Sequence, residues 1–166
     1  MSQQADAKVD GRDETEDERA DRNFNELLQE LRVAQTGVQI LFAFLVTLPF
    51  TQRFATVTGF QKDLYLVALI AAGLSMACLV APVSQHRILF GRRLKPQLVQ
   101  TGSRLAYAGT AFLLVAVIVA LFLIVDVVTG VPAAFGVSLA VGVWSVFAWY
   151  VIPLRLRRRG RRGRRG

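Results

Sequence analysis

The stretch Leu105-Ala-Tyr-Ala-Gly-Thr-Ala-Phe-Leu-Leu-Val-Ala-Val-Ile-Val-Ala-Leu-Phe-Leu-Ile-Val125 runs for twenty-one residues without a charged side chain. Wound as an α-helix it is about 31 Å long at 1.5 Å per residue, which matches a hydrocarbon core of about 30 Å. A helix on the core of a soluble protein keeps one charged or polar face for water, and this stretch has no charged face. It continues through Asp126 to Val128, and a second uncharged run, Val131 to Ile152, follows almost at once. Upstream, Leu64 to Val83 is a further uncharged run, and Val33 to Phe50 is a shorter and less apolar one. Four such runs predict an all-α integral membrane bundle of four transmembrane helices, with spans at 33–50, 64–83, 105–128 and 131–152. The composition agrees: 53% of the residues are hydrophobic and the mean hydropathy is +0.40, more apolar surface than a chain of 166 residues can hide from water by itself.

Charge divides the chain into parts. Residues 1–32 hold ten acidic and five basic residues, while the remainder holds two acidic and fifteen basic, for a net charge of +8. Residues 1–22 have Val9 as their only large apolar side chain, so they read as an acidic disordered tail. Residues 23–153 form the membrane domain, and 154–166 an Arg-rich tail. Asn23 and Glu26 have the spacing of a capping box ahead of Leu27, Leu28 and Leu31. The first helix is therefore expected to start at Asn23 and reach Phe50, about 42 Å, so that its first turns project beyond the bilayer. Pro49, Pro82, Pro132 and Pro153 fall at the expected span ends, where a helix loses a donor at little cost. No apolar stretch with a cleavage site opens the chain, so no removable signal peptide is expected. The single cysteine, Cys78, offers neither an intrachain disulfide nor a multi-cysteine metal site.

Lysine and arginine set the expected orientation. The segment Ser84 to Arg104 carries Arg87, Arg92, Arg93, Lys95 and Arg104 without an acidic residue, and eight arginines follow Pro153. The two other connections carry Arg53 and Lys62. The positive-inside bias then places the N-terminus, the middle connection and the C-terminus in the cytoplasm, with the protein in the inner (plasma) membrane. Arg92, Arg93, Lys95, Arg155, Arg157, Arg158 and Arg159 are expected to contact anionic lipid, each contributing about 1 kcal/mol near the surface. A nucleic-acid partner is disfavoured, because the tail follows a span directly and no aromatic residue is interleaved with its arginines.

The run Asp21-Arg-Asn-Phe-Asn-Glu-Leu-Leu-Gln-Glu-Leu-Arg-Val-Ala-Gln-Thr-Gly-Val-Gln-Ile-Leu-Phe-Ala-Phe-Leu45, most specific through Gln39, together with Leu48-Pro-Phe, Ala81-Pro-Val and His86-Arg, resembles an actinobacterial family of small four-span membrane proteins of unknown function. The likeness covers about residues 16 to 130. Members of that family are sometimes labelled sodium:proton antiporters. The resemblance implies a fold and carries over no reaction, cofactor or site residue.

Read from the residues themselves, the sharpest feature is a polar stripe on the first helix. Asn25, Gln29, Arg32, Thr36 and Gln39 recur at spacings of three and four, with Gln35 beside them. Amides within a span face other helices or water, because lipid offers them no partner. The stripe therefore reads either as interhelical hydrogen bonding or as the wall of a cytoplasm-facing polar vestibule. Asp126 is the one acidic residue inside an apolar run, two residues from the end of the third span, and reads as an interface residue. His86 follows the second span and could titrate near neutral pH, but it has no second histidine or cysteine to make a metal site. Small residues at four-residue spacing, Gly73/Ala77/Ala81, Gly102/Ala106/Thr110 and Ala134/Ser138/Gly142, allow close helix approach.

No phosphate-binding glycine loop, nucleophile elbow, paired histidines or cysteine cluster is present, so no enzyme and no cofactor are expected. The sequence leads to a structural or accessory membrane protein that works through helix packing, anionic lipid, a membrane protein partner or self-association. The alternative is a small transporter, such as a sodium:proton antiporter, using the polar face of the first span.

Overall fold

The computed structural model describes the backbone of residues 16–89, 95–152 and 155, and the side chains of these apart from 16–21, 23–25, 86–89 and 95–99. Four helices and no strand are found among the described residues: α1 (Glu16–Thr47), α2 (Gly59–Leu89), α3 (Lys95–Thr129) and α4 (Val131–Val146). Two 3-10 turns, Leu48–Phe50 and Gln52–Thr56, join α1 to α2, and a π-helical turn, Phe147–Val151, extends α4. All four are long and apolar enough to cross a membrane. The fold is the all-helical, four-span arrangement that the apolar runs predict.

Three of the helices meet through seams whose members alternate at four and three residues. On α1 the seam is Leu27, Leu31, Ala34, Val38, Leu41 and Leu45; on α2 it is Tyr65, Ala68, Ala72, Ser75, Leu79 and Pro82; on α3 it is Gly102, Ala106, Gly109, Leu113, Ala116, Ala120 and Leu123. This average period of 3.5 residues keeps one narrow stripe facing a partner along the whole length of a helix. Val38, Ala68, Ala72, Leu79 and Ala116 have no accessible surface at all. Alanine and glycine dominate the α2 and α3 seams because lipid is as apolar as leucine, so close van der Waals contact drives association in its place. Large apolar side chains such as Val33, Ile40, Ile70, Leu139 and Trp144 point outward, as a surface facing lipid requires.

Neighbouring helices run antiparallel. Gln35 meets Leu79 and Phe42 lies on Gly73 between α1 and α2; Ser75 meets Gly109 and Gln61 meets Asp126 between α2 and α3. Ile118 lies on Gly142, and Phe122 on Phe135 at 5.0 Å, between α3 and α4. α1 and α3 also approach one another, whereas α4 approaches α3 and no other helix among the described residues. The architecture is thus a three-helix core with α4 set against its outside. Gly130 alone separates α3 from α4, with φ +98°, a left-handed conformation that glycine adopts without a steric penalty.

Several helix boundaries differ from those expected. α1 begins at Glu16, and Asn23 lies inside it, so the region taken as a disordered tail is helical from 16 onward. Within α1, Arg22 and Glu26 stand at helical four-residue spacing. α2 passes through Pro82 and continues to Leu89, while α3 starts at Lys95. The expected connection Ser84 to Arg104 is therefore largely helical, because hydropathy marks where a helix leaves the apolar layer and not where it ends. A capping box does exist, at the start of α2: Thr58 N–H donates to Gln61 Oε1 at 3.0 Å and Gln61 N–H to Thr58 Oγ1 at 3.3 Å.

Candidate functional site

The polar side chains of the membrane domain collect in three places. The first is the interior of the three-helix core, around the turn of α2 that holds Pro82. A proline has no N–H to give the carbonyl four residues back, here Cys78, and its ring crowds that turn. The Gln35 Nε2 of α1 donates to the carbonyl of Leu79, the next residue, at 2.7 Å. One turn away, the buried Ser75 hydroxyl donates to the Gly109 carbonyl of α3, also at 2.7 Å. Gly109 is needed there: a Cβ on it would stand 2.7 Å from Leu79 Cγ and 3.2 Å from Cys78 Cβ. Gln35 thus braces α2 in the turn that holds the proline, at the carbonyl next to the one the proline leaves unpaired, while Ser75 ties α2 to α3 one turn away.

The second place is the end of the bundle where the two short connections lie. Gln61 uses its carbonyl in the capping box and donates its Nε2 to Asp126 Oδ2 at 2.9 Å, tying α2 to α3. Arg53 reaches the Val127 carbonyl at 3.4 Å. Asp126 is half-buried and engaged with an amide close to the end of α3, at the edge of the apolar layer. Phe54 stacks edge-on to Tyr65 at 5.0 Å beside this cluster.

The third is the outer face of α1. Gln29, Arg32, Thr36 and Gln39 share one face as their spacing predicts, and all four are exposed. The Thr36 hydroxyl donates to the Arg32 carbonyl of its own helix at 3.0 Å. Among the described polar residues of this stretch only Gln35, one residue off the stripe, turns inward. These four residues face away from α2 and α3, so within one chain they neither bond across to another helix nor line a space between helices; the apolar seam takes the inward direction. Two cavities lie on the flanks of α3: one of about 610 Å³ against α4, lined by Ile118, Phe135 and Leu139, and one of about 230 Å³ against the end of α1, lined by Phe44, Phe54 and Val127. Both are apolar grooves open to the lipid-facing side.

The arrangement as a whole, with its core of small residues and four apolar helices, can be set beside known families. Residues 13–153 match a family of unknown function, DUF6328. The chain belongs to the DUF6328 family. The match starts ahead of α1 and runs past the π-helical turn, so it takes in the fourth helix as well as the first three. No curated protein and no solved structure matches this DUF6328 chain.

The remaining predicted residues are placed as follows. His86 and Lys95 lie on the last turns of α2 and the first turn of α3, and their side chains are outside the described residues, as are Arg92, Arg93, Arg157, Arg158 and Arg159 altogether. Arg155 is exposed. Among the described residues no group of three His, Cys, Asp or Glu side chains comes together. Sequence reasoning missed Gln61 and Ser75. The first was available as Thr58-Gly-Phe-Gln61, a capping signature ahead of an apolar run, and the second as a seam position between Ala72 and Leu79.

Proposed function

We propose that this DUF6328 chain is a non-catalytic structural or accessory protein of the inner (plasma) membrane, with both termini in the cytoplasm, acting through helix packing, anionic lipid and association with a membrane protein. The observation that carries this reading is the character of the core. Leu31, Val38, Leu45, Ala68, Leu79 and Ala120 fill the space where α1, α2 and α3 meet, and the polar groups there, Gln35 and Ser75, are held by backbone carbonyls. A packed centre of this kind, with its polar groups already bonded, supports a helix-joining role. On the outer face of α1 the exposed Gln39 has unused hydrogen-bonding capacity, where a partner would find it.

The antiporter reading has less support. Proton-coupled exchange uses an ionisable side chain deep in the membrane. Asp126 accepts a hydrogen bond from Gln61 near the connection to α4, and Gln35 and Gln39 are amides that exchange no proton at neutral pH. The orientation is supported by the basic residues between 84 and 104 and after Pro153, set against Arg53 and Lys62 on the opposite side.

Purified protein in liposomes, with a sodium or potassium gradient and an internal pH dye, tests the reading directly. The expected result is proton movement no faster than in empty liposomes, and the same in Asp126→Asn. Cation-driven flux that Asp126→Asn or Gln39→Ala abolishes would overturn the accessory role in favour of transport.

A further inference from the structure

Opposite its buried seam, α1 carries a second seam with the same alternation of four and three: Gln29, Arg32, Thr36, Gln39, Ala43 and Val46. At 100° per residue the mean directions of the two seams differ by roughly 150°, so one faces α2 and α3 while the other faces largely away from them. All six of these side chains are exposed. Thr36 is bonded to its own helix, but Gln39 has no hydrogen-bond partner among the described residues. Gln39 is also deep. It lies within three residues of the middle of the apolar segment 33–50, roughly 4 Å along the axis, and so close to the bilayer midplane. An amide facing lipid at that depth has neither donor nor acceptor to meet.

We infer that α1 pairs in parallel with α1 of a second copy through this outer seam, the two Gln39 amides bonding one another near the midplane. Copies of one chain insert with one orientation, so a two-fold axis along the membrane normal sets each residue opposite its equivalent, at the same depth. An amide carries both donor and acceptor and can satisfy its own twin, as a carboxylate or an ammonium cannot. The alternation of four and three keeps the seam in register along the pair. Arg32 stands seven residues toward the N-terminus, at the edge of the apolar segment, where its long side chain reaches interfacial water and lipid phosphate and avoids its twin. This inference rests on the accessory reading and names the chain itself as the associating membrane protein.

The test uses the full chain in a Cys78→Ala background, labelled with donor or acceptor dye at an added N-terminal cysteine and reconstituted over a range of protein-to-lipid ratios. Energy transfer should rise with protein density and fall when unlabelled protein is added. Gln39→Leu should weaken association about three- to thirtyfold, with helix content by circular dichroism unchanged because the side chain is exposed, while Gln39→Asn should keep most of it. Energy transfer absent at every ratio, as a different membrane partner on this seam would give, overturns the inference; so does transfer that Gln39→Leu leaves unaltered. Ion flux in the same liposomes is read separately: flux overturns the accessory reading, and absence of pairing by the unaltered protein without flux overturns this interface alone.

Discussion

α2 and α4 both lean on α3, but they use different geometry. The α2 contact repeats at four and three residues, runs from Gln61–Asp126 to Ser75–Gly109 and beyond, and is tight enough that Gly109 has no room for a methyl group. The α4 contact is carried by Ala134, Ser138 and Gly142 at steps of four, with the Ser138 hydroxyl buried and unpaired. Outside that stripe, Phe135, Leu139, Val143 and Trp144 are exposed. The first contact is framework, fixed by shape and by hydrogen bonds; the second is a line of small residues with Phe135 stacked on Phe122 at one end, and no hydrogen bond holds it among the described residues. Small side chains serve both, so composition alone does not separate a structural seam from a light one.

The same substitution on the two contacts separates them most clearly. Gly109→Ala forces a methyl group into the fully buried Leu79 and should destabilise the protein by about 2–3 kcal/mol, as overpacking does, read as an earlier transition when unfolding is followed in mixed detergent micelles. Removing a hydrogen bond from the core is the next test. Gln35→Leu and Ser75→Ala should each cost about 1 kcal/mol by the same measurement, with the Gln35 change felt at the Pro82 turn as faster amide hydrogen exchange. Gly142→Ala meets Ile118 Cδ1 at 3.2 Å, the movable end of a side chain, and should stay within about 0.5 kcal/mol because alanine's helix propensity offsets the crowding. Smallest of all, Ser138→Ala should be neutral or slightly stabilising, since it removes a buried hydroxyl that has no partner. A destabilisation by Gly142→Ala equal to that of Gly109→Ala would erase the distinction between framework and appendage.

What the sequence disclosed follows from which forces act along one helix and which act between helices. Uninterrupted apolar length is a property of a single segment, and it identified all four spans. Pro82 misled because the rule that proline stops a helix counts only that helix's own donors; the amide that supports the turn comes from Gln35, forty-four residues earlier. Asn23 and Glu26 have the spacing of a cap, but acidic helix formers stand ahead of them and the chain is already helical there. The spacing of Gln29, Arg32, Thr36 and Gln39 put them on one face, yet periodicity does not say which way a face points. The competing seam of Leu27, Leu31, Val38 and Leu45 does, because four large apolar side chains outbid four polar ones for the interior. Gly109 escaped notice between the small-residue triads, since its necessity is set by Leu79 on another helix.

The one-residue corner at Gly130 gives α4 its place beside α3 by a different route. With no length of chain between the two helices, α4 cannot diffuse away through the bilayer, and its local concentration at the α3 surface is set by the tether. Even a contact of little intrinsic affinity is then occupied nearly all the time. The Ala134, Ser138 and Gly142 line can stay thin, and the rest of α4 can be apolar in any pattern that lipid accepts, because adjacency is supplied by covalent geometry at a single glycine.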